Sequence, residues 1–399
     1  MKTVAFRAFL ITFLLFAVVP TGFPVRAGSR EPVRIGEVNP LTGRLATHGR
    51  EIHEGILLAV EEASRFGGLE GRPVELLTRD DQSRPDVAIN QTQDLLYRQK
   101  VVALVGGYVD SLVGPISELA ARHGTPYVAS ASLQRSLTLT GDNPYFFRVA
   151  HVSGLVEPIC GFLSGVLRPR RLAVLYAATP GATELAGEVR ACLSKQGIPL
   201  RMEEKFRPGT PDFSPLVLKM RRERVDVLLC AGFFSDHLIL VRQLREQKVP
   251  LEAYVGPWGV AYDSFIEETG ALSERLIGMC AWNPGIPYPG TEEASRRFVE
   301  AFRERFERLP TTTTMHGYTS AKVLLMAIDR VLEAGRELSG EAISASLRGL
   351  DETLPMGRVA FDEKGDPKFY RQVIVQVQDR RLVPVYPEER ARGALLVPW

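Results

Sequence analysis

From Val33 onward, short runs of branched apolar residues alternate with longer stretches whose apolar positions recur every three to four residues. "VRIGEV" (33–38) has the makings of a strand, and "REIHEGILLAVEEASRF" (50–66) puts Ile52, Ile56, Leu57, Val60 and Ala63 on one helical face. Strand, helix and strand follow at 73–80, 84–99 and 101–107, with Pro85 at a permitted first-turn position, then a helix at 111–124 and a strand at 126–130. The alternation restarts at "RLAVLYA" (171–177). It continues through helices at 183–197, 212–224 and 236–247 and strands at 199–206, 225–232, 251–257 and 275–282. Strands this apolar, separated by helices, belong in parallel sheets covered on both faces. Two such series predict an α/β chain of two Rossmann-like, doubly wound lobes. After the proline- and glycine-rich "NPGIPYPG" come two long helical patterns (292–308 and 317–335) and a set of short C-terminal strands.

The first residues have a different origin. Lys2 and Arg7 precede the uncharged run Ala8–Val19, 12 residues long, which Pro20 and Gly22 break before the small-residue site Val25-Arg26-Ala27. A membrane-spanning helix needs about 20 apolar residues. The layout is that of a secretory signal peptide cut after Ala27, with an uncleaved anchor as the alternative. No cysteine follows the cut to carry a lipid. Loss of residues 1–27 takes the formal net charge from +2 to −1, which leaves no electrostatic claim on nucleic acid. Export permits disulfides, but the spacing of Cys160, Cys192, Cys230 and Cys280 does not pair them. Cys230 and Cys280 sit in apolar runs and are expected to be small buried strand residues.

Ligands in open parallel sheets bind beyond the carboxyl ends of strands. Four turns there are chemically rich: "NPLTGRLATHG" (39–49), "GGYVDS" (106–111), "ASAS" (129–132) and "GPWGV" (256–260). None forms a nucleophile elbow, a phosphate loop or a zinc-binding helix, and the histidines do not cluster at metal-ligand spacing. "GGLEG" (67–71) follows a helix and precedes a strand, the wrong order for cradling phosphate. A binding protein without cofactor is expected, not an enzyme.

The stretches "IGEVNPLTGRLATHGREIHEGILLAVEEA", "GGLEGRPVELLTRDDQSRPDVAINQTQDLL", "VALVGGYVDS", "GTPYVASAS", "DFSPLVLKMRRERVDVLLCAG" and "VAFDEKGD" together resemble the periplasmic leucine/isoleucine/valine-binding protein family, the type I solute-binding proteins of ABC importers. The resemblance spans nearly the whole chain after residue 27. It implies two lobes joined by three crossovers, near 148–152, 282–286 and 350–358, closing over a small molecule. The first lobe would comprise 28–148 and 284–350, the second 149–283, with 351–399 returning strands to the second. It also implies a periplasmic, monomeric protein that hands its ligand to permease subunits in the inner membrane.

Family members hold an amino acid's carboxylate with lobe-one hydroxyls and backbone N–H groups. The matching turns here supply Asp110, Ser111, Ser130 and Ser132, although such serines also cap helices. His48 matches a pocket-edge position, with an exposed loop as the alternative. The second lobe departs from the pattern. "ATPGATE" replaces a tyrosine-bearing turn, Phe233-Phe234 lacks a phenolic hydroxyl, and Trp258 stands where amino-acid binders place the acid that meets the ligand's ammonium. Trp258 either faces the cleft or packs a rim. If it faces the cleft, three ligand classes stay open. Asp110 supplies the counter-charge from the other lobe, or the rings of Trp258 and Phe233 receive a cation, or the ligand is a carboxylate or amide without an amine. A sensor of the same fold is the rival function.

Overall fold

The computed structural model describes residues 31–139 and 142–399. The proposed signal peptide lies outside the described residues. The first sheet is built from β1 (Val33–Asn39), β2 (Val74–Asp80), β3 (Ala103–Tyr108), β4 (Tyr127–Ala131) and β5 (Phe146–Arg148), all parallel, in the order β2-β1-β3-β4-β5. Helices α1 (Ala46–Arg65), α2 (Pro85–Gln93) and α3 (Asp110–His123) connect them. α1 begins four residues before the periodicity predicts.

After α4 (Ser153–Phe162) the same order recurs. β6 (Leu172–Ala177), α5 (Pro180–Lys195), β7 (Leu200–Phe206), α6 (Ser214–Glu223), β8 (Val227–Ala231), α7 (Phe234–Glu246), β9 (Ala253–Gly256), α8 (Asp263–Thr269) and β10 (Ile277–Cys280) make a parallel set β7-β6-β8-β9-β10. Every residue of β8 and β9 is buried, as strands covered on both faces require.

The chain then returns. α9 (Glu292–Phe306) and α10 (Thr312–Glu333) pack beside α1, and α11 (Gly340–Arg348) follows. α10 can lie close along α1 because Gly55 and Gly317 have no side chains. A Cβ on Gly55 would sit 2.1 Å from the Thr314 carbonyl oxygen, and one on Gly317 2.2 Å from that of Ile52. The hairpin β11 (Asp351–Leu354) and β12 (Gly357–Ala360) occupies the stretch where the resemblance sets its third crossover. From β12 the chain runs through 361–372 to β13 (Val373–Gln378) and β14 (Arg381–Tyr386), which extend the second sheet antiparallel beyond β10.

A fully buried arginine ties the end of β5 to the stretch that leads to β13. Arg148, at the end of β5, donates from Nε to Asp366 Oδ1 at 2.7 Å and from its other nitrogens to the Gln134 carbonyl and the Thr138 hydroxyl. A buried charge left without such partners would cost several kcal/mol in order of magnitude. Thr138 also donates to Asp366 Oδ2. The segment between β4 and β5 is thereby fastened to the link that carries the chain to β13.

Cys160 on α4 and Cys192 on α5 form a disulfide with Cα atoms 6.4 Å apart, while Cys230 and Cys280 are free and buried in β8 and β10. Burial pushes both free thiols up to about 12, so neither is a reactive thiolate at neutral pH. Thiol titration of the unfolded protein should find two reactive groups before reduction and four after. Replacing Cys160 and Cys192 by serine should lower stability by about 3–4 kcal/mol, the loop-entropy value for a closure of this length. Four thiols without reduction would contradict the pairing.

Candidate functional site

The strand order reverses between β1 and β3 in one sheet and between β6 and β8 in the other, which is where α/β sheets open crevices. A cavity of about 850 Å³, counted out to bulk solvent, lies there and is lined from both lobes. The first lobe contributes the turn after β3 (Tyr108, Val109, Asp110, Ser111). The second contributes Thr179, Pro180 and Gly181 after β6, Phe233 after β8, and Pro257 and Trp258 after β9. The start of α10 adds Thr312, Thr313 and His316, and the stretch before β13 adds Tyr370 and Gln372.

Asp110 organises the first-lobe side. It opens α3, behind Val109, whose φ of 65° is rarely adopted by a β-branched residue. Strain of this kind costs about 1–3 kcal/mol and persists only where the surroundings enforce it. Here the Val109 N–H donates to the Ala131 carbonyl, and the turn aims Asp110 across β4. Asp110 Oδ1 accepts three hydrogen bonds, each of 2.8 Å, from the Ser132 hydroxyl and the N–H groups of Leu133 and Gln134. Its Oδ2 lies against the first turn of α5 on the opposite lobe, where a Cβ added to Gly181 would stand only 2.4 Å away. Beside this contact, the Arg135 N–H donates to Glu184 Oε1 at 2.7 Å and the Arg135 guanidinium pairs with Glu188 at 3.2 Å, both acids being on α5. Burial raises the Glu184 carboxyl above its usual range.

Much of the remaining wall is aromatic, with Leu133, Leu155 and Met279 between the rings. Tyr108, Phe233, Trp258, Tyr262 and Tyr370 join His316 around the cavity, and no lysine or arginine is among the lining residues. Burial holds the three phenols far above their ordinary pKa, so each keeps its proton as a donor. Burial also lowers His316 to about 4, which leaves it neutral at pH 7. Two buried polar atoms in the wall, the Trp258 indole Nε1 and the Gln372 amide Oε1, have no hydrogen-bond partner among the described residues. Gln372 spends its amide nitrogen on the Tyr370 hydroxyl at 2.6 Å. A donor and an acceptor buried without partners are costly unless something else meets them.

Four of the seven residues singled out in the sequence line the cavity: Asp110, Ser111, Phe233 and Trp258. His48 stands one layer behind, its ring 5.0 Å from that of Tyr108 and 5.2 Å from that of Tyr262, with Glu51 on its Nδ1. The other two serines are engaged elsewhere. Ser130 is fully buried and bonds Ser320 of α10 at 2.7 Å, so it fastens β4 to the helix behind it. Ser132 is committed to Asp110. Neither caps a helix. Tyr108, Tyr262, His316, Tyr370 and Gln372 were not singled out. Tyr262 lies only four residues beyond Trp258, but His316, Tyr370 and Gln372 arrive by long-range return of the chain and carry no local signal.

Two lobes of repeated topology with a cavity between them define a periplasmic binding protein of type I, and residues 32–380 match the family model described as periplasmic binding protein. The chain belongs to that family, one of binding proteins and not of enzymes. It is 26% identical over 389 residues to "Leu/Ile/Val-binding protein homolog 7" of Brucella abortus, covering 92% of this chain and 94% of that protein. It is 24% identical over 357 residues to the "Leucine-, isoleucine-, valine-, threonine-, and alanine-binding protein" of Pseudomonas aeruginosa, covering 89% and 92%. Among solved structures, the branched-chain amino acid substrate-binding protein LivJ of Streptococcus pneumoniae in complex with isoleucine superposes with a TM-score of 0.76 at 20% identity, covering 92% of this chain and all of that one. An ABC-transporter solute-binding protein of Rhodopseudomonas palustris in complex with 3,4-dihydroxybenzoic acid superposes at 0.77 and 19% identity, covering 92% and 98%.

The neutral, buried His316 has a consequence for stability. An unfolded chain protonates it near pH 6.5, whereas the folded chain resists down to about 4, so the stability it contributes is lost as pH falls through that window. Urea unfolding should show wild type losing about 3 kcal/mol more than His316→Gln between pH 6.5 and 4. Equal losses would mean that His316 is protonated in the fold.

Proposed function

We propose that this chain is the solute-capturing component of an ABC importer, exported through a cleaved signal peptide, that closes its lobes on one small molecule and presents it to a permease in the inner membrane. The observation that carries the reading is the cavity itself, walled by strand-end turns of both lobes and holding an unpartnered buried donor and acceptor. A ligand that touches both walls stabilises only the closed arrangement, so binding shifts the equilibrium between open and closed forms. The links at 149–152, 281–291 and 361–372 are the candidates to absorb the rotation. With family members named for branched-chain amino acids and a structural neighbour holding an aromatic acid, the likeness favours a small organic solute without choosing its charge.

The test is a thermal-shift panel of amino acids, amides, amines and carboxylates on protein refolded to remove carried ligand. A ligand at 100 times its dissociation constant should add about 2.7 kcal/mol of stability. Gly181→Val should keep the unliganded melting temperature and lose most of that gain, because the new Cβ meets Asp110 Oδ2, whose partner oxygen is pinned by three donors. No stabilisation by any member, or an undiminished gain in Gly181→Val, would overturn the reading.

A further inference from the structure

We infer that the captured solute is a cation without a carboxylate, an organic ammonium bearing a neutral hydrogen-bonding group such as an amide, with Asp110 as its counter-charge. The inference rests on the solute-capture reading and names the ligand class for the same cavity. Its first support is where the donors go. The hydroxyl and backbone N–H groups at the end of β4 are natural partners for an incoming anion, yet the Ser132 hydroxyl and the Leu133 and Gln134 N–H groups all point at Asp110 Oδ1. The protein's own carboxylate already fills that position. It also presses on the first turn of α5, so the positive ends of α3 and α5 both face an internal acid. At the third helix start, the Thr311 hydroxyl already caps α10 by accepting from the Thr314 N–H.

The second support is charge. Asp110 is the one acid among the lining residues, there is no lysine or arginine, and His316 is neutral at pH 7. A ligand carboxylate would sit beside a like charge without a cationic side chain to offset it. A ligand ammonium would meet Asp110 Oδ2, which no donor of the described residues reaches, and the faces of Trp258, Phe233 and the tyrosines, which attract cations. The third support is the unpartnered pair in the wall. Trp258 Nε1–H needs an acceptor and Gln372 Oε1 needs a donor. A primary amide offers both groups in one neutral unit.

The experiment crosses the two charges on a constant side chain. Leucine, leucinamide, 4-methylpentanoate and 4-methylpentanamide, with the phenylalanine-derived counterparts of all four, are titrated calorimetrically into refolded protein. The pH is 6.5, where an α-amino group with an ordinary pKa near 8 is protonated. In at least one side-chain series the cationic amide should bind about 100-fold more tightly than the carboxylate, the scale set by like-charge juxtaposition, and more tightly than the zwitterion. Asp110→Asn retains an oxygen for the β4 donors and should abolish that preference while the melting temperature holds. Should Asp110→Asn fail to fold, the wild-type ranking still decides. Tighter binding of an amino acid or carboxylate than of its cationic amide would overturn the inference and leave solute capture standing. Failure of both cationic amides to bind would also overturn it, with solute capture then resting on the broader panel.

Discussion

The contact between Asp110 and the first turn of α5 fixes how the two walls of the cavity meet. One oxygen is held by three donors at the end of β4, and the other lies where a single added carbon on Gly181 would collide with it. The carboxylate therefore cannot swing away, and the opposing backbone can approach only because position 181 has no side chain. Val109 bears the conformational strain that sets this aim. Arg135, reaching from the segment after β4 to Glu188, adds an ion pair on the same seam. Because that pair is partly exposed, its contribution is small, and the steric fit at Gly181 decides how closely the lobes meet.

The same seam explains why the cavity is an aromatic chamber with one acid. β9 delivers Trp258 and β8 delivers Phe233 from the second lobe, while β3 delivers Tyr108 beside Asp110. α10 closes the floor, and it can do so because Gly55 and Gly317 let it lie against α1. Behind the chamber, Arg148 at the end of β5 and Asp366 on the stretch that leads to β13 join in a hydrogen-bonded cluster that fastens the two segments together.

Most of the fold is legible in the sequence because strands covered on both faces leave a simple record: apolar runs such as "VDVLLC" separated by amphipathic helices. The short elements leave less. β5 spans only three residues, α8 seven and β12 four, too few for any period to register. α10 begins five residues before its pattern suggests, because the run "TTTT" (311–314) is polar by composition, yet Thr311 caps the helix and Thr313 and Thr314 are buried in its first turn. Trp258 was traceable from its place at a strand's carboxyl end. Ser130 and Ser132 were harder, since a serine at such a turn can face the cleft, the helix behind or a neighbouring acid, and only the three-dimensional partners, Ser320 and Asp110, distinguish these. His316, Tyr370 and Gln372 come from the last quarter of the chain, and no local pattern brings them to a cavity whose turns lie more than fifty residues earlier.

The most direct test of the account is the separation of the lobes across the Asp110–Gly181 seam. Spin labels placed on exposed positions of α3 and α6 would report the distance by pulsed electron resonance, in refolded protein without and with a stabilising ligand. Closure on the ligand predicts a broad, longer distribution that collapses to one short distance on binding, and no collapse in Gly181→Val. A single short distance in both states would show a rigid chamber and contradict closure as the basis of capture.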